Sequence, residues 1–314
     1  MGDQAGIEMK YIDLHTHTNF SDAVVSLEHS LKEAEGLGLS LFSVSDHNTV
    51  AAYSELDESR HLFSGAILPA VELSTTFKGD VIEILGYGID VDKMSTLIGE
   101  NYYSFYDKQV KEARLDAEAM LAAGVTLDAE FVRAMTEEPW TIFDPSRQTN
   151  RPFLLAEMKK HPENARFFES EEKFLALNPT QFSRNYLFNA QSALDSDQSS
   201  LSADLLTVLD MIKKCGGLSF LAHPFIYSEN VLASLDVLAA VGLDGMECFY
   251  GTFTSEQKRF MYNFCEEKGL YKSGGSDYHG IKMRPTNPLG YSGGEKIPHS
   301  LIEPWFQKIE RSLM

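Results

Sequence analysis

The chain of 314 residues has few cysteines and no long apolar run, and each absence excludes a class of protein. Its three cysteines, Cys215, Cys248 and Cys265, are scattered and form no C-x-x-C pair. This distribution argues against a disulfide framework and against a thiolate zinc site, and it fits a reducing cytoplasm. No apolar run reaches the roughly 18 residues of a membrane span, so we predict a cytoplasmic protein without a membrane partner.

The N-terminus lacks the pattern of a secretory signal. Residues 1–6, MGDQAG, carry no basic region followed by an apolar one. Gly2 suggests myristoylation, but Gly6 stands where that motif requires Ser or Thr. We therefore expect residues 1–9 to be a disordered leader or an expression remnant.

Basic residues are scarce, since 46 acidic residues face 27 lysines and arginines and the net charge is −19. Without a block of basic residues, such a surface repels duplex nucleic acid. Divalent cations would cancel part of this acidity at a site. A small phosphorylated substrate, such as a nucleotide or a short RNA end, is therefore compatible with the charge, while the oligomeric state is left open.

Short apolar runs alternate with helix-like stretches, which predicts βα units and a largely parallel sheet. The segment 26–34 is expected to be an amphipathic helix ended by Gly36 and Gly38, and 260–268 a helix ended by Gly269. Seven strands satisfy either a distorted barrel or an open sheet. The predicted strands are 10–14, 40–44, 66–71, 81–87, 217–222, 245–249 and 271–273.

The segment 102–201 interrupts this alternation with a long charged helix at 106–123 and several loops. We expect a helical insertion that acts as a lid over the site. The alternative is a solubilising excursion with no role there. The flanking ranges 10–101 and 202–314 would form the α/β portion.

His15 and His17 close the first apolar run, and in a strand residues i and i+2 point to the same face, so both can bind one ion. Parallel α/β sheets bind ligands at the carboxyl ends of their strands. More candidate ligands collect there than one ion can use, which predicts two or three metal ions. The other histidines and acids near these strand ends are Asp22, Asp46, His47, Glu72, His223, Glu247, Asp277 and His279.

These candidates combine imidazole with carboxylate and lack thiolate, which favours Zn, Mn or Fe over Ca. Closely spaced metals generate hydroxide near neutral pH and stabilise both oxygens of an in-line displacement. Phosphoester hydrolysis is the reaction that most needs this arrangement. A protein nucleophile is not predicted, because there is no G-x-S-x-G elbow and no cysteine beside a motif histidine.

Five motifs resemble, in order, those of the PHP (polymerase and histidinol phosphatase) superfamily of metal-dependent phosphoesterases. The insertion is similar to that of its stand-alone branch. The resemblance implies a distorted (β/α)7 barrel and hydrolysis of a nucleotide, short oligonucleotide or other small phosphoester by metal-activated hydroxide. The motifs are DLHTH at 13–17 with SD at 21–22, VSDHNT at 44–49, VELS at 71–74, AHP at 222–224 and GSDYHG at 275–280.

The resemblance also implies a ligand set for each metal. A third ion would lie between Glu72, which bridges, and His223. The first ion would be bound by His15, His17, Glu72 and Asp277, and the second by Asp22, His47 and His279.

Glu83 departs from the family pattern, because a histidine in a HILG run usually completes the third site. Here the run is IEILGY at 82–87. A carboxylate favours harder ions such as Mn or Mg. The alternative is that Glu83 is only an acid that lines the cavity.

Four further residues are predicted to act on the substrate or on the ligands. Asp46 would orient His47 or a water molecule, or else cap the loop that follows, and the leaving group would be protonated by water or by an acid near His223. Arg151 and Arg184 are candidates for phosphate binding, since the arginine fork matches phosphate oxygens. Each could instead solvate a helix.

Three other functions fit the pattern less well. A histidinol-phosphate-type phosphatase is the nearest alternative within the family. A metal-dependent amidohydrolase would use an early His-x-His but typically has a bridging lysine, and no motif here contains one. A non-catalytic metal-binding scaffold would be expected to have lost more of its ligands.

Overall fold

A computed structural model describes residues 10–146, 148–189 and 191–314. The predicted leader at 1–9 lies outside the described residues. Within the described part of the chain, no helix is long and apolar enough to cross a membrane.

All seven predicted strands form, and the third divides in two because the chain leaves the sheet between residues 67 and 70. The described strands make three sheets. The first contains β1 (Tyr11–Asp13), β2 (Leu39–Phe42) and β3 (Ala66–Ile67), and the second β4 (Ala70–Phe77), β5 (Asp80–Tyr87), β6 (Leu218–Leu221), β7 (Gly245–Tyr250) and β8 (Tyr271–Gly275). A short hairpin contains β9 (Tyr291–Ser292) and β10 (Glu295–Lys296).

The second sheet is mixed, so the expectation of a largely parallel sheet is only partly right. β4 and β5 form an antiparallel hairpin, and β5 also runs antiparallel to β6. Lys78 and Gly79 connect the hairpin with φ values of 53° and 91°. Positive φ at both central residues is the signature of a tight turn that matches the strand twist.

An α/β fold is confirmed, but the described strands form no closed sheet. Backbone hydrogen bonds nevertheless connect the two larger sheets. The amide of Asp277 donates to the His15 carbonyl at 2.8 Å, and the Asn48 amide donates to the Glu72 carbonyl at 2.8 Å. The end of β1 therefore lies beside the loop after β8, and the segment after β2 lies beside the first half of β4.

The predicted helices are present. Ser26 caps the first, where its Oγ accepts from the His29 amide, and Gly38 ends it with φ 67°. The helix predicted at 260–268 begins earlier, at Ser255, because Thr254 and Gln257 form a capping box. The helices before the insertion are α1 (Leu27–Leu37), α2 (Leu56–Ser59) and α3 (Val91–Asn101). Those after it are α9 (Leu205–Lys214), α10 (Glu229–Leu232), α11 (Leu235–Ala240), α12 (Ser255–Lys268) and α13 (Glu303–Ile309).

Five helices and a π-helix at Ser183–Leu187 fall within the predicted insertion, and they share a hydrophobic core of their own. Met120, Phe131, Leu154 and Phe182 belong to that core. Its role as a lid stays a prediction. The five helices are α4 (Phe105–Ala122), α5 (Ala129–Glu137), α6 (Arg151–Lys159), α7 (Glu171–Ala176) and α8 (Pro179–Phe182).

Candidate metal centre

Asp13 fixes the strand end from which the first two histidines project. Its fully buried carboxylate accepts hydrogen bonds from the Ser276 amide at 2.9 Å, the Ser276 hydroxyl at 2.6 Å and the Gly290 amide at 2.7 Å. Burial raises the pKa of Asp13 to about 6, although these hydrogen bonds oppose the shift. Asp13 thus ties β1 to the loop that carries Asp277, a role that sequence reasoning missed.

Glu72 lies at the centre of the predicted ligands and is fully buried. Glu72 lies on β4, directly beside the segment that follows β2. Four imidazoles surround its carboxylate: Oε2 lies 3.2 Å from His15 Nε2, 3.3 Å from His17 Nε2 and 3.1 Å from His47 Nδ1, and Oε1 lies 3.1 Å from His223 Nε2.

The remaining predicted ligands extend this cluster in two directions. Asp277 Oδ1 lies 3.2 Å from His17 Nε2, and Asp22 Oδ1 lies 3.0 Å from His279 Nε2. The His17 and His279 rings stack with centroids 4.2 Å apart. The structure therefore brings the residues of the first two predicted sites into one continuous group.

Glu83 lies where the predicted third site requires a ligand. Its Oε2 is 3.2 Å from His223 Nε2, and its Oε1 is 3.3 Å from His47 Nδ1. Burial and the neighbouring Glu72 would raise the pKa of Glu83, but the imidazoles lower it on balance. The carboxylate therefore lies in the cluster as an anion.

The imidazole nitrogens and carboxylate oxygens of this cluster are suitable ligand atoms for divalent cations. Several are buried and lack a hydrogen-bond partner among the described residues, which is costly unless an ion or water compensates. Subsets of them lie within 4.8 Å of one another, as one cation requires. Imidazole and carboxylate without thiolate are suitable ligands for such an ion. The unpartnered atoms are Nε2 of His15 and His279, both ring nitrogens of His17, Nδ1 of His47 and His223, Oδ1 of Asp22 and Oε2 of Glu72.

The carboxylates of the cluster raise the pKa values of the neighbouring imidazoles. Burial works against a charged imidazole, yet Asp277 and Glu72 raise the pKa of His17 to about 10. In the same way Glu72 and Glu83 raise the pKa of His223 to about 9. The carboxylates thus favour positive charge beside them, which a bound cation would supply.

Two further carboxylates hydrogen-bond to the predicted metal ligands or to the loop that carries one of them. Glu247 Oε1 lies 3.0 Å from Nδ1 of His15, and its Oε2 accepts from the His223 amide at 2.8 Å. Asp46 accepts from the Thr18 amide at 2.7 Å and from the Ser21 hydroxyl at 2.5 Å. The Asp46 carboxylate therefore holds the loop before Asp22.

Backbone strain is concentrated at the centre. Asn48, His223 and Asp277 have φ values of 52°, 28° and 57°, a region that non-glycine residues rarely adopt. Such conformations persist where the surrounding structure over-determines them, which is typical of functional sites.

The two arginines predicted from sequence lie in different places. Arg151 Nη2 is 3.7 Å from Glu112 Oε2, and its guanidinium lies 4.7 Å from the Phe188 ring, so these contacts are within the insertion. Burial and Asp277 raise the pKa of Tyr250, and the charge of Arg184 opposes this. Arg184 itself lies on the π-helix at Ser183–Leu187, within the insertion.

Sequence reasoning missed Arg284 and Tyr250. The guanidinium of Arg284 donates through Nη1 to Oδ2 of Asp277, and the Tyr250 hydroxyl donates to the same oxygen at 2.8 Å. Tyr278, between Asp277 and His279 in the fifth motif, is buried and donates to Glu33 at 2.5 Å.

Curated relatives match most of the chain. A 5′-3′ exoribonuclease from Haemophilus influenzae is 25% identical over 275 residues, which cover 86% of this chain and 90% of the relative. A 3′,5′-nucleoside bisphosphate phosphatase from Chromobacterium violaceum is 26% identical over 278 residues, covering 86% of this chain and 88% of the relative. Both relatives are phosphoesterases by name, which agrees with the resemblance to the PHP superfamily. No family model matches the chain.

Two solved structures share the fold. An amidohydrolase from Chromobacterium violaceum with bound sulfate superposes with a TM-score of 0.64 at 21% identity, covering 97% of both chains. A structure assigned to a metal-dependent phosphoesterase from Bifidobacterium adolescentis has a TM-score of 0.61 at 21% identity, covering 95% of this chain and 96% of that one. The PHP-type motifs of this chain thus lie on a fold shared across nearly its whole length.

Proposed function

We propose that this protein is a metal-dependent phosphoric ester hydrolase that acts on a nucleotide or a short oligonucleotide. The observation that carries the proposal is the position of Glu72 among four imidazoles, beside further buried ligand atoms that have no hydrogen-bond partner among the described residues. The relatives, an exoribonuclease and a bisphosphate phosphatase, bear out the predicted class of reaction and the small phosphorylated substrate.

Three cation positions are proposed, with manganese, zinc, iron and magnesium as candidates. Cations at these positions would lower the pKa of a water molecule and neutralise charge on the phosphoryl oxygens. The proposed ligands are His15, His17, Glu72 and Asp277 for the first, Asp22, His47 and His279 for the second, and Glu72, Glu83 and His223 for the third.

The protein's own residues would hold this arrangement and receive the substrate. Glu247 keeps His15 with Nε2 towards the ligand position, and we propose that Asp46 positions the loop of Asp22 in place of acting directly. The leaving group would take up its proton from water or from an acid near His223, whose Nδ1 has no hydrogen-bond partner among the described residues. Arg184 would bind phosphate oxygens, and Arg151 the rest of the substrate.

The architecture that we propose around this centre is a distorted (β/α)7 barrel with residues 102–201 as a lid. The hydrogen bonds that join the end of β1 to the loop after β8, and the segment after β2 to β4, support it. The scarcity of basic residues supports a substrate that is not a duplex. The three reduced, buried cysteines support a cytoplasmic location.

Phosphate release from a substrate panel tests the proposal. The panel contains nucleoside monophosphates, 3′,5′-bisphosphonucleosides, histidinol phosphate and short 5′-phosphorylated RNAs, each with Mn²⁺, Mg²⁺ or Zn²⁺. We expect release from one nucleotide or RNA class, loss with a chelator and restoration by the metal. Silence across the panel from protein shown to contain metal would contradict the proposal and favour an amide substrate or a scaffold.

A further inference from the structure

Arg284 is held over the centre by the loop that follows β8. The Arg284 amide donates to the Gly280 carbonyl at 3.0 Å, and its carbonyl accepts from the Asn287 amide at 3.1 Å. The Asn287 side chain in turn donates to the Ser276 carbonyl at 2.8 Å. The backbone at Arg284 is thus tied to the strand end that carries Asp277.

The two oxygens of Asp277 face different partners. Oδ1 is directed at the imidazoles, 3.2 Å from His17 Nε2. Oδ2 accepts from Arg284 Nη1 and from the Tyr250 hydroxyl. The carboxylate therefore separates the cation side of the centre from the side on which Arg284 lies.

The guanidinium of Arg284 retains donors for another group. It has five N–H donors in a planar fork, and the bond to Asp277 is the only one seen within the described ranges. A quarter of its side chain is exposed (25%), so the guanidinium is accessible from solvent, and the side chain of Asp22 is likewise partly exposed (36%). Burial lowers the pKa of Arg284, but Asp277 and Asp22 raise it on balance, and the side chain stays charged.

We propose that Arg284 binds the phosphoryl group of the substrate, with one arm of its guanidinium kept on Asp277 and the others on phosphoryl oxygens. The proposal deepens the proposed function and rests on it. An arginine already oriented by a carboxylate loses little freedom when it binds a second anion, and its fork matches two phosphate oxygens. Unlike Arg151 and Arg184, it is carried by the loop after a strand of the sheet and not by the insertion.

Inorganic phosphate is the probe that tests Arg284. Calorimetry would measure phosphate binding to the protein loaded with Mn²⁺, and a separate titration would measure Mn²⁺ affinity without phosphate. We expect Arg284→Gln to weaken phosphate binding by at least ~10-fold, since charge-assisted hydrogen bonds are lost, while Mn²⁺ affinity stays within a few-fold. Lys282→Gln, which removes the same charge from an exposed position in the same loop, should leave both affinities unchanged.

A second variant separates phosphate binding from support of the fold. Arg284→Lys can keep an ion pair with Asp277, so it should fold normally. A single ammonium cannot bind Asp277 and phosphate together, so we expect phosphate binding to be weakened in this variant as well. If Arg284→Gln fails to fold, the phosphate affinity of Arg284→Lys tests the proposal. Normal phosphate affinity in the folded variants, with weakened Mn²⁺ binding, would overturn the proposal and leave Arg284 as a support for Asp277.

The outcome for Arg284 can be told apart from the outcome for the enzyme. Phosphate binding is measured without turnover, so an inactive panel together with Arg284-dependent phosphate binding would refute only the proposed reaction. Active turnover with normal phosphate affinity in the Arg284 variants would refute only the inference about Arg284.

Discussion

Glu247 and His15 form a buried hydrogen bond that determines which imidazole nitrogen faces the metal centre. Glu247 Oε1 lies 3.0 Å from Nδ1, and Nε2 is directed at Glu72 Oε2, 3.2 Å away. The second oxygen of Glu247 accepts from the His223 amide at 2.8 Å. One carboxylate thus orients two residues of the centre, as carboxylates behind metal-binding histidines commonly do.

Glu247→Gln should weaken metal binding about 10–100-fold, the usual effect of removing such a partner. The glutamine oxygen can still accept from His15, but its amide would then face the donating amide of His223. Titration with Mn²⁺ in a calorimeter measures the effect, and Glu267→Gln, at an exposed position on α12, is the control. Wild-type affinity in Glu247→Gln would show that the hydrogen bond has no influence on the centre.

Asp22→Ala and His279→Ala should each lower turnover by at least ~1000-fold, because a cation contributes several kcal/mol to the transition state and each 1.36 kcal/mol is tenfold. Both residues belong to the group with ligand atoms within 4.8 Å. The fold of Asp22→Ala should survive, since Asp22 is partly exposed.

Phosphate release at saturating Mn²⁺ measures this loss, and circular dichroism with thermal melting checks the fold. Asp57→Ala removes an exposed acid from α2 and should keep full activity. Full activity of either ligand variant, with metal supplied, would refute the assignment of the second cation position.

Glu83→His should change which metal binds at the third position. It replaces a carboxylate with the family's usual imidazole, and imidazole suits zinc where carboxylate suits magnesium or manganese. We expect the variant to retain more zinc than the wild type after incubation with equal Mn²⁺ and Zn²⁺, as measured by elemental analysis.

Glu83→Ala completes this test, because it should lower the number of bound cations per chain. An unchanged metal content in Glu83→Ala, together with an unchanged zinc share in Glu83→His, would mean that Glu83 only lines the cavity.

The regular elements could be predicted from sequence where their signal is local. Ser26 and Gly38 bound α1 as expected, because capping chemistry depends on neighbouring residues. The antiparallel direction of β5 could not be read from apolar runs, which do not encode direction. The extension of β4 to Phe77 was missed because its second half is polar.

The candidate ligands could be predicted from sequence because their spacing within short motifs places them at strand ends. Their partners depend on contacts between distant segments: Gly290 donates to Asp13 across 277 positions, and His15 meets Glu247 across 232. Arg284 lies in a loop without periodicity, seven residues after Asp277. No local pattern marks such a residue, and only the folded loop brings it to the centre.

Asp116 provides a stability test away from the metal centre. It is fully buried on α4, where its carboxylate accepts from Asn150 Nδ2 at 2.6 Å and from Gln198 Nε2 at 3.1 Å. Burial, followed by the nearby charge of Glu112, raises the pKa of Asp116 from 3.8 to about 6. The folded state therefore binds this proton more tightly than the unfolded state does.

The sign of the pH effect follows from that difference. Below pH 3.8 Asp116 is protonated in both states, and between pH 3.8 and about 6 its contribution becomes increasingly unfavourable to folding; above that it is constant. Asp116→Asn removes the charge, and Asn150 can turn its Oδ1, which lacks a partner in the described part of the chain, to accept from the new amide. We expect the variant to gain up to about 3 kcal/mol over the wild type at pH 7.5, and progressively less as the pH falls towards 4. Urea unfolding of both proteins at pH 4.5, 6 and 7.5 measures the difference in their free energies of unfolding. A difference that is independent of pH would mean that ionisation of Asp116 does not destabilise the folded state.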